Sequence, residues 1–229
     1  MALYTIGDLH LSLNSDKSMD VFGPGWANYV ERIREGFSGL TEDDTTVLCG
    51  DLSWGMSLEE SLEDLKFINS LPGRKILLKG NHDYWWNTAR KMENFFKENG
   101  LDSLEILHNN CQYYGDIALC GTRGWFYELD SEGTHNGKMM AREVGRLEAS
   151  LQAAGEAEKL CFLHYPPLYT GYRCPEILAL LQKYGVKRCF YGHLHGASHK
   201  RRIEGDCGGT DFALVAADYL GFIPLKICD

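Results

Sequence analysis

The sequence predicts an α/β fold, a layered sandwich in which a helix-covered sheet packs against a second, mixed sheet. Two patterns carry that expectation. Over the first hundred residues, short apolar runs alternate with stretches of helical period, giving the order β-α-β-α-β-α of a parallel sheet covered by helices. Late in the chain, strands follow one another without intervening helices, which calls for a second sheet of mixed direction packed on the first.

The elements follow in order. "ALYTIG" (2–7) alternates its apolar residues as a first strand does. "WANYVERIREGF" (26–37) aligns Trp26, Tyr29, Val30, Ile33 and Phe37 along one helical stripe, and "TTVLCG" (45–50) is a strand again. "SLEESLEDLKFINSL" (57–71) opens with the capping-box spacing of Ser57 and Glu60 and sets Leu58, Leu62, Leu65 and Ile68 on one face. "KILLKG" (75–80) is a continuous apolar strand, followed by a helix through "TARKMENFFKENG" (88–100) that stops at Gly100. "LEILHN" (104–109) and "CQYYGDIALCG" (111–121) read as strands, the second a hairpin turning at Gly115 and Asp116. A helix from about Lys138 to Ala154 precedes the strand "KLCFLH" (159–164). Then come the helix "PEILALLQKYG" (175–185), with Pro175 in its first turn, the strand "KRCFYG" (187–192), and two terminal strands, "DFALVAAD" (211–218) and "FIPLKI" (222–227).

No repeat, low-complexity tract or Pro/Ser-rich linker interrupts this pattern, so residues 1–229 are expected to form one domain. No apolar segment reaches the length of a membrane span, and "MALYTIGDLH" lacks the basic flank of a signal peptide, which points to a cytoplasmic protein with no membrane partner. The eight cysteines are scattered with no CxxC pair, and Cys49, Cys161 and Cys189 lie inside apolar runs, as small buried strand residues do; reduced thiols are the reading. A net charge of -9 disfavours sequence-independent binding to a phosphate backbone. The one basic cluster, "HKRRIE" (199–204), reads as a solvated hairpin or loop, with a local contact to an anionic substrate as the alternative.

Five polar clusters each follow directly on a predicted strand: "GDLH" (7–10), "GDLSW" (50–54), "GNHD" (80–83), "LHYPP" (163–167) and "GHLHG" (192–196). In open α/β sheets, ligands gather beyond the carboxyl ends of the strands, so loops distant in sequence converge there. Together the five offer Asp8, His10, Asp51, Asn81, His164, His193 and His195, a mixture of carboxylate, amide and imidazole donors suited to a pair of divalent transition ions. In extended backbone, residues two apart point the same way, so Asp8 with His10, and His193 with His195, are expected to face one site. Any one of these clusters alone is a common turn or a structural histidine; five in one chain call for a shared site.

The motif order D-x-H, GD, GNH[DE], H and GHxH, spanning residues 7 to 196, resembles the calcineurin-like metallophosphoesterase superfamily. That resemblance implies a four-layer αββα sandwich, with two mixed β-sheets flanked by helices and a dinuclear metal centre at the sheet edge. It implies that Asp8, His10 and His195 bind one metal, that Asn81, His164 and His193 bind the other, and that Asp51 bridges them. It makes His82 the general acid or leaving-group stabiliser. The implied function is hydrolysis of a phosphate mono- or diester by a metal-bridging hydroxide. Physical chemistry is consistent with it: two ions about 3.5 to 4 Å apart can clamp both oxygens of an in-line phosphoryl displacement. Their charge, partly offset by Asp8 and Asp51, would draw phosphate to an acidic protein. The metals could be Mn, Fe, Zn or Co.

Asp83 is expected either to fix the His82 ring as a catalytic helper or to serve as a turn or helix cap. Protein serine/threonine phosphatases of the superfamily continue their second motif as GDxVDRG, where this chain reads "GDLSWG"; the phosphate-holding arginine is missing there. Arg123, between glycines in "CGTRGWF", is the candidate replacement for substrate binding, with a structural ion pair as the alternative. Trp54, Tyr84, Trp85, Trp86 and Trp125 are expected to be mostly core, with one or two walling a pocket for a small, nucleotide-like phosphorylated substrate. Pro166 and Pro167 favour a rigid extended loop after His164. His108, His135 and His199 lie outside the motifs and read as surface or structural residues. Two other classes compete. A nuclease would call for a basic groove, and a non-catalytic scaffold for lost ligands; the sequence shows neither clearly.

Overall fold

The computed structural model describes residues 1–14, 17, 19–125 and 133–229. Strands β1 (Leu3–Ile6), β2 (Thr45–Leu48), β3 (Arg74–Leu77) and β4 (Leu104–Ile106) pair in parallel in chain order. They are linked by helices α1 (Tyr29–Phe37), α2 (Leu62–Ser70) and α3 (Ala89–Glu98). Crossovers that all advance in one direction with the usual right hand put every helix on the same face. The other face is left for a second sheet.

That second sheet is built from β5 (Cys111–Tyr114), β6 (Ile117–Thr122), β7 (Glu158–Leu163), β10 (Arg188–Tyr191), β11 (Gly205–Cys207) and β12 (Thr210–Leu214), in the order β11-β12-β10-β7-β6-β5. Its four central strands are parallel and its two edge strands antiparallel. Helices α4 (Gly133–Ala153) and α5 (Pro175–Lys183) cover its outer face, and β8 (Leu168–Tyr169) and β9 (Tyr172–Arg173) form a separate hairpin. The strand period of two sorts the core into three layers. Leu3, Val47, Ile76, Leu119, Phe162 and Phe190 fill the space between the sheets. Ile6, Leu48 and Leu77 face α1–α3, whereas Cys161, Leu163 and Tyr191 face α4 and α5. The result is the αββα sandwich.

The last strand departs from the sequence reading. β13 (Leu225–Cys228) does not extend the second sheet but returns to the first, antiparallel to β1, so that sheet is mixed as well. Local patterning cannot register such a choice, because an alternating apolar strand fits either open edge. Smaller shifts occur at helix ends. Regular helix in α1 starts at Tyr29 because Asn28 adopts a left-handed conformation (φ 54°). Ser57 Oγ accepts the Glu60 N–H at 3.2 Å, but the Glu60 carboxylate returns to the Met56 N–H rather than to Ser57, and this turn precedes helix α2. β11 was not foreseen: with glycine at one end and only three residues, it has too little apolar pattern.

All eight cysteines are free thiols. Cys111, Cys120, Cys161 and Cys189 are register partners across four adjacent strands. No helix among the described residues is long and apolar enough to cross a membrane.

Candidate metal centre

The parallel strands of both sheets end at a common edge. Gly7, at the end of β1, donates its N–H to Val215 O at 2.7 Å and accepts from Ala217 N at 3.0 Å, so the two sheets are stitched together there. All five motif loops meet at this edge. Asp8, His10 and His195 offer ligand atoms that lie within 4.8 Å of one another, and so do Asp51, His164 and His193. Asn81 joins the second group, with its Oδ1 2.6 Å from His164 Nε2 and 3.0 Å from His193 Nδ1.

The convergence has a different local cause from strand alternation. Asp8 (φ 60°), His10 (φ 47°), Asp51 (φ 51°) and His193 (φ 71°) all hold left-handed backbone, which non-glycine residues adopt at a cost and which clusters at functional sites. The backbone pairing that continues past the strand ends supports these kinks: Asp8 N–H donates to Gly50 O at 2.8 Å and His10 N–H to Asp51 O at 2.9 Å. His193 and His195 fall into different groups. Two glycines permit the close approach: a Cβ on Gly80 would lie 2.1 Å from Asp51 Oδ1, and one on Gly192 2.3 Å from Asp8 Oδ2.

The donor set fits two ions. His164 Nδ1 lies 3.1 Å from the Cys49 carbonyl oxygen, which can only accept, so the proton sits on Nδ1 and Nε2 presents its lone pair. Burial pushes the His164 ring down to about 3, and burial, followed by the neighbouring His164, does the same to His193. Neutral at working pH, the His164 lone pair therefore meets the Asn81 carbonyl oxygen head on, an arrangement that a cation satisfies. Metal bonds of about 2.1 Å give donor-to-donor edges of about 3.0 to 3.4 Å in octahedral or tetrahedral shells. Here His10 Nε2 to His195 Nε2 is 3.2 Å, Asp8 Oδ1 to His195 Nε2 is 3.3 Å, and His193 Nδ1 to Asn81 Oδ1 is 3.0 Å. One oxygen of Asp51, Oδ2, lies 3.4 Å from His164 Nε2 and 3.7 Å from His10 Nε2, facing both groups at once. Burial, followed by the charges of Asp83 and Asp8, raises the Asp51 carboxyl well above its ordinary range, a conflict that a bound cation relieves.

The adjacent residues Asn81 and His82 diverge. The His82 ring lies beside the first group, 5.7 Å from His10, against Trp54 at 4.5 Å and Tyr84 at 6.2 Å. Asp83 makes none of its hydrogen bonds to that ring. Fully buried, it accepts from Asp51 N and Gly80 N on Oδ2 (2.9 and 2.7 Å), and from Leu52 N, Ser53 N and Trp85 Nε1 on Oδ1 (2.8, 3.3 and 3.0 Å). It clamps the 51–53 loop to the 80–83 loop. Its bond from Gly80 N closes the turn of the motif, whereas none reaches the His82 ring; an aspartate three residues past Gly80 looks the same in sequence whichever loop its oxygens reach. Arg123 points to helix α4, where its guanidinium lies 3.5 Å from Glu143 and over the Trp125 ring. Its carbonyl accepts the N–H groups of His164 and Tyr165 at 3.2 and 2.8 Å, which sets the loop carrying His164.

Three neighbours escaped the sequence reading. Asp218 accepts from His195 Nδ1 at 3.0 Å and from Gly196 N at 3.0 Å, leaving His195 Nε2 for a metal. It follows strand β12 much as the motif aspartates follow theirs, and that position was the available signal. Trp26 sets its edge against both His10 and His195, and Tyr165 lies 4.6 Å from His193. Trp85 and Trp86 are core, whereas Trp54 is partly buried and stacked on His10, and Tyr84 is exposed. His108 and His199 lie at the margins, the latter 3.2 Å from Asp218; the side chain of His135 lies outside the described residues.

The family model for calcineurin-like phosphoesterases matches residues 1–197. The chain belongs to that family. A calcineurin-like phosphoesterase is a metal-dependent phosphoric ester hydrolase, and the two His/Asp groups give this one a place for each ion. No curated protein matches the sequence. Among solved structures, the phosphopantetheinyl hydrolase of Mycobacterium tuberculosis shares the fold at 14% identity, with a TM-score of 0.61 over 99% of this chain and 95% of that one. A Thermus thermophilus protein does so at 11% identity, with a TM-score of 0.53 over 87% and 85%.

Proposed function

We propose that this phosphoesterase hydrolyses a small phosphate mono- or diester and that His82 assists the leaving group. The observation that carries the reading is the position of His82: next to the Asp8, His10 and His195 group, yet outside both ligand sets. Bound at the two groups, divalent ions (Mn, Fe, Zn or Co) would supply Lewis-acid stabilisation of the phosphoryl oxygens and an activated water. The chain's own residues do the rest. His164 is held in one tautomer by the Cys49 carbonyl, and His195 is oriented by Asp218. Burial, with His195 next, keeps the His82 ring below the ordinary histidine range, so a proton it carries is readily given up to a leaving oxygen.

The test is turnover of p-nitrophenyl phosphate and its bis-ester by the metal-supplemented protein; no turnover of either would sink the reading. His82→Ala should lower kcat by about 10² to 10⁴-fold on an alkyl phosphate, and by less on p-nitrophenyl phosphate, whose leaving group needs no proton. Equal losses on the two would remove His82 from that role.

Trp54, the His82 ring and Tyr84 lie in a row beside the centre, and this favours substrates with a planar leaving group, such as nucleotides. A nuclease acting on long polymers fits less well with the net charge of -9, and a scaffold gives no reason to retain all seven ligands.

A further inference from the structure

We propose that Lys79, His108, Arg123 and Arg146 form a subsite for a second anionic group of the substrate, a terminal phosphate being the best match to its guanidinium donors. The inference rests on the phosphoesterase reading above and deepens it: the natural ester would carry one phosphate that is cleaved and another that is held.

These four residues, with Thr122 and Glu143, line a cavity of about 20 Å³. That is room for one water or one oxygen of an oxyanion, the others staying at its mouth. The charges there do not balance. Glu143, fully buried, is the one carboxylate in the lining. Its Oε1 accepts from Arg146 at 2.6 Å and lies 3.5 Å from Arg123, and its Oε2 accepts from Thr122 Oγ1 at 2.7 Å. Lys79 has no ion pair among the described residues, and Arg123 Nε is buried with no hydrogen-bond partner. Three cations thus share one anion in a protein whose net charge is -9. Such a concentration is costly to hold together unless an anion completes it. The His108 ring reports the same field: burial first, and then Arg146 and Lys79, push it below the ordinary histidine range.

The recess also lies where a substrate could span it and the metals. Lys79 precedes Asn81 by two residues, and the Arg123 carbonyl holds the backbone of His164. It therefore borders the Asn81 and His164 flank, whereas His82 stands on the His10 side.

The experiment uses the full chain in two states. In chelator-stripped protein, calorimetric titration with inorganic phosphate should detect binding that Lys79→Met, which breaks no ion pair, weakens tenfold or more; Arg146→Gln should weaken it similarly. In metal-loaded protein, the ratio of kcat/KM for bisphosphorylated over monophosphorylated small esters should fall at least tenfold in Lys79→Met. Absence of phosphate binding by the stripped wild type, or equal binding by wild type and Lys79→Met, overturns the subsite. So does an unchanged substrate ratio. Loss of turnover on every ester with phosphate binding intact overturns the phosphoesterase reading alone.

Discussion

Replacing Asp83 by asparagine should destabilise the fold rather than retune the chemistry. The side chain keeps its shape, and its remaining carbonyl oxygen can still accept from Leu52, Ser53 and Trp85. The new amide nitrogen, however, then faces the N–H groups of Asp51 and Gly80, donor against donor, where Oδ2 had accepted at 2.9 and 2.7 Å. Hydrogen bonds to a charged acceptor contribute about 1.5 to 3 kcal/mol each, so losing two costs about 3 to 6 kcal/mol. Some of that returns, because burial holds the Asp83 carboxyl itself above its ordinary range, and its charge, second only to burial, raises the Asp51 carboxyl; neutralising it relieves both. The net expectation is still a loss, smaller than that sum. Urea unfolding of the stripped protein measures it. A change under about 0.5 kcal/mol would refute the reasoning, and a shifted pH-rate profile with full stability would restore Asp83 to the His82 ring.

Three further predictions follow from the same geometry. Asp218→Ala should weaken metal binding about 10 to 100-fold by freeing the His195 ring, measured by calorimetric Mn²⁺ titration; unchanged affinity would mean that Asp218 orients nothing. In the metal-free protein, burial lowers the His195 pKa, but Asp8 and then Asp218 outweigh it and carry it up to about 10, so its folded value exceeds its unfolded one. Its stabilisation is then full below about pH 6.5 and lost as pH rises through about 10. Metal binding near pH 8 should release about one proton from this ring, read as a dependence of binding heat on buffer ionisation enthalpy; no dependence would refute it. Gly80→Ala would drive a methyl to within 2.2 Å of Asp51 N and 2.1 Å of its Oδ1, and should abolish tight metal binding, whereas normal Mn²⁺ affinity would show that the loop can yield.

Much of the molecule was legible in the chain. The order of strands and helices, the hairpin at Gly115 and the helix stop at Gly100 are local, set by periodicity and by residues that turn the backbone. The seven donors were also visible, because they follow five strands and parallel strands must end together. What stayed hidden was partnership. Nothing near residue 218 says that its carboxylate will meet His195, and nothing in "GNHD" says that Asp83 turns to the backbone at 51–53 while His82 turns to Trp54.

The sequence alone therefore determined the α/β class, the set of candidate ligands and the resemblance that names the family, since all three are written in short spans whose chemistry does not depend on distant residues. The tertiary structure decided the edge that β13 joins, the pairing of Asp218 with His195 and the direction in which Arg123 and Asp83 point. Those depend on left-handed kinks and on contacts between residues as much as 185 positions apart, as between His10 and His195. Such contacts are fixed only when the two sheets pack and their strand ends are brought to one edge.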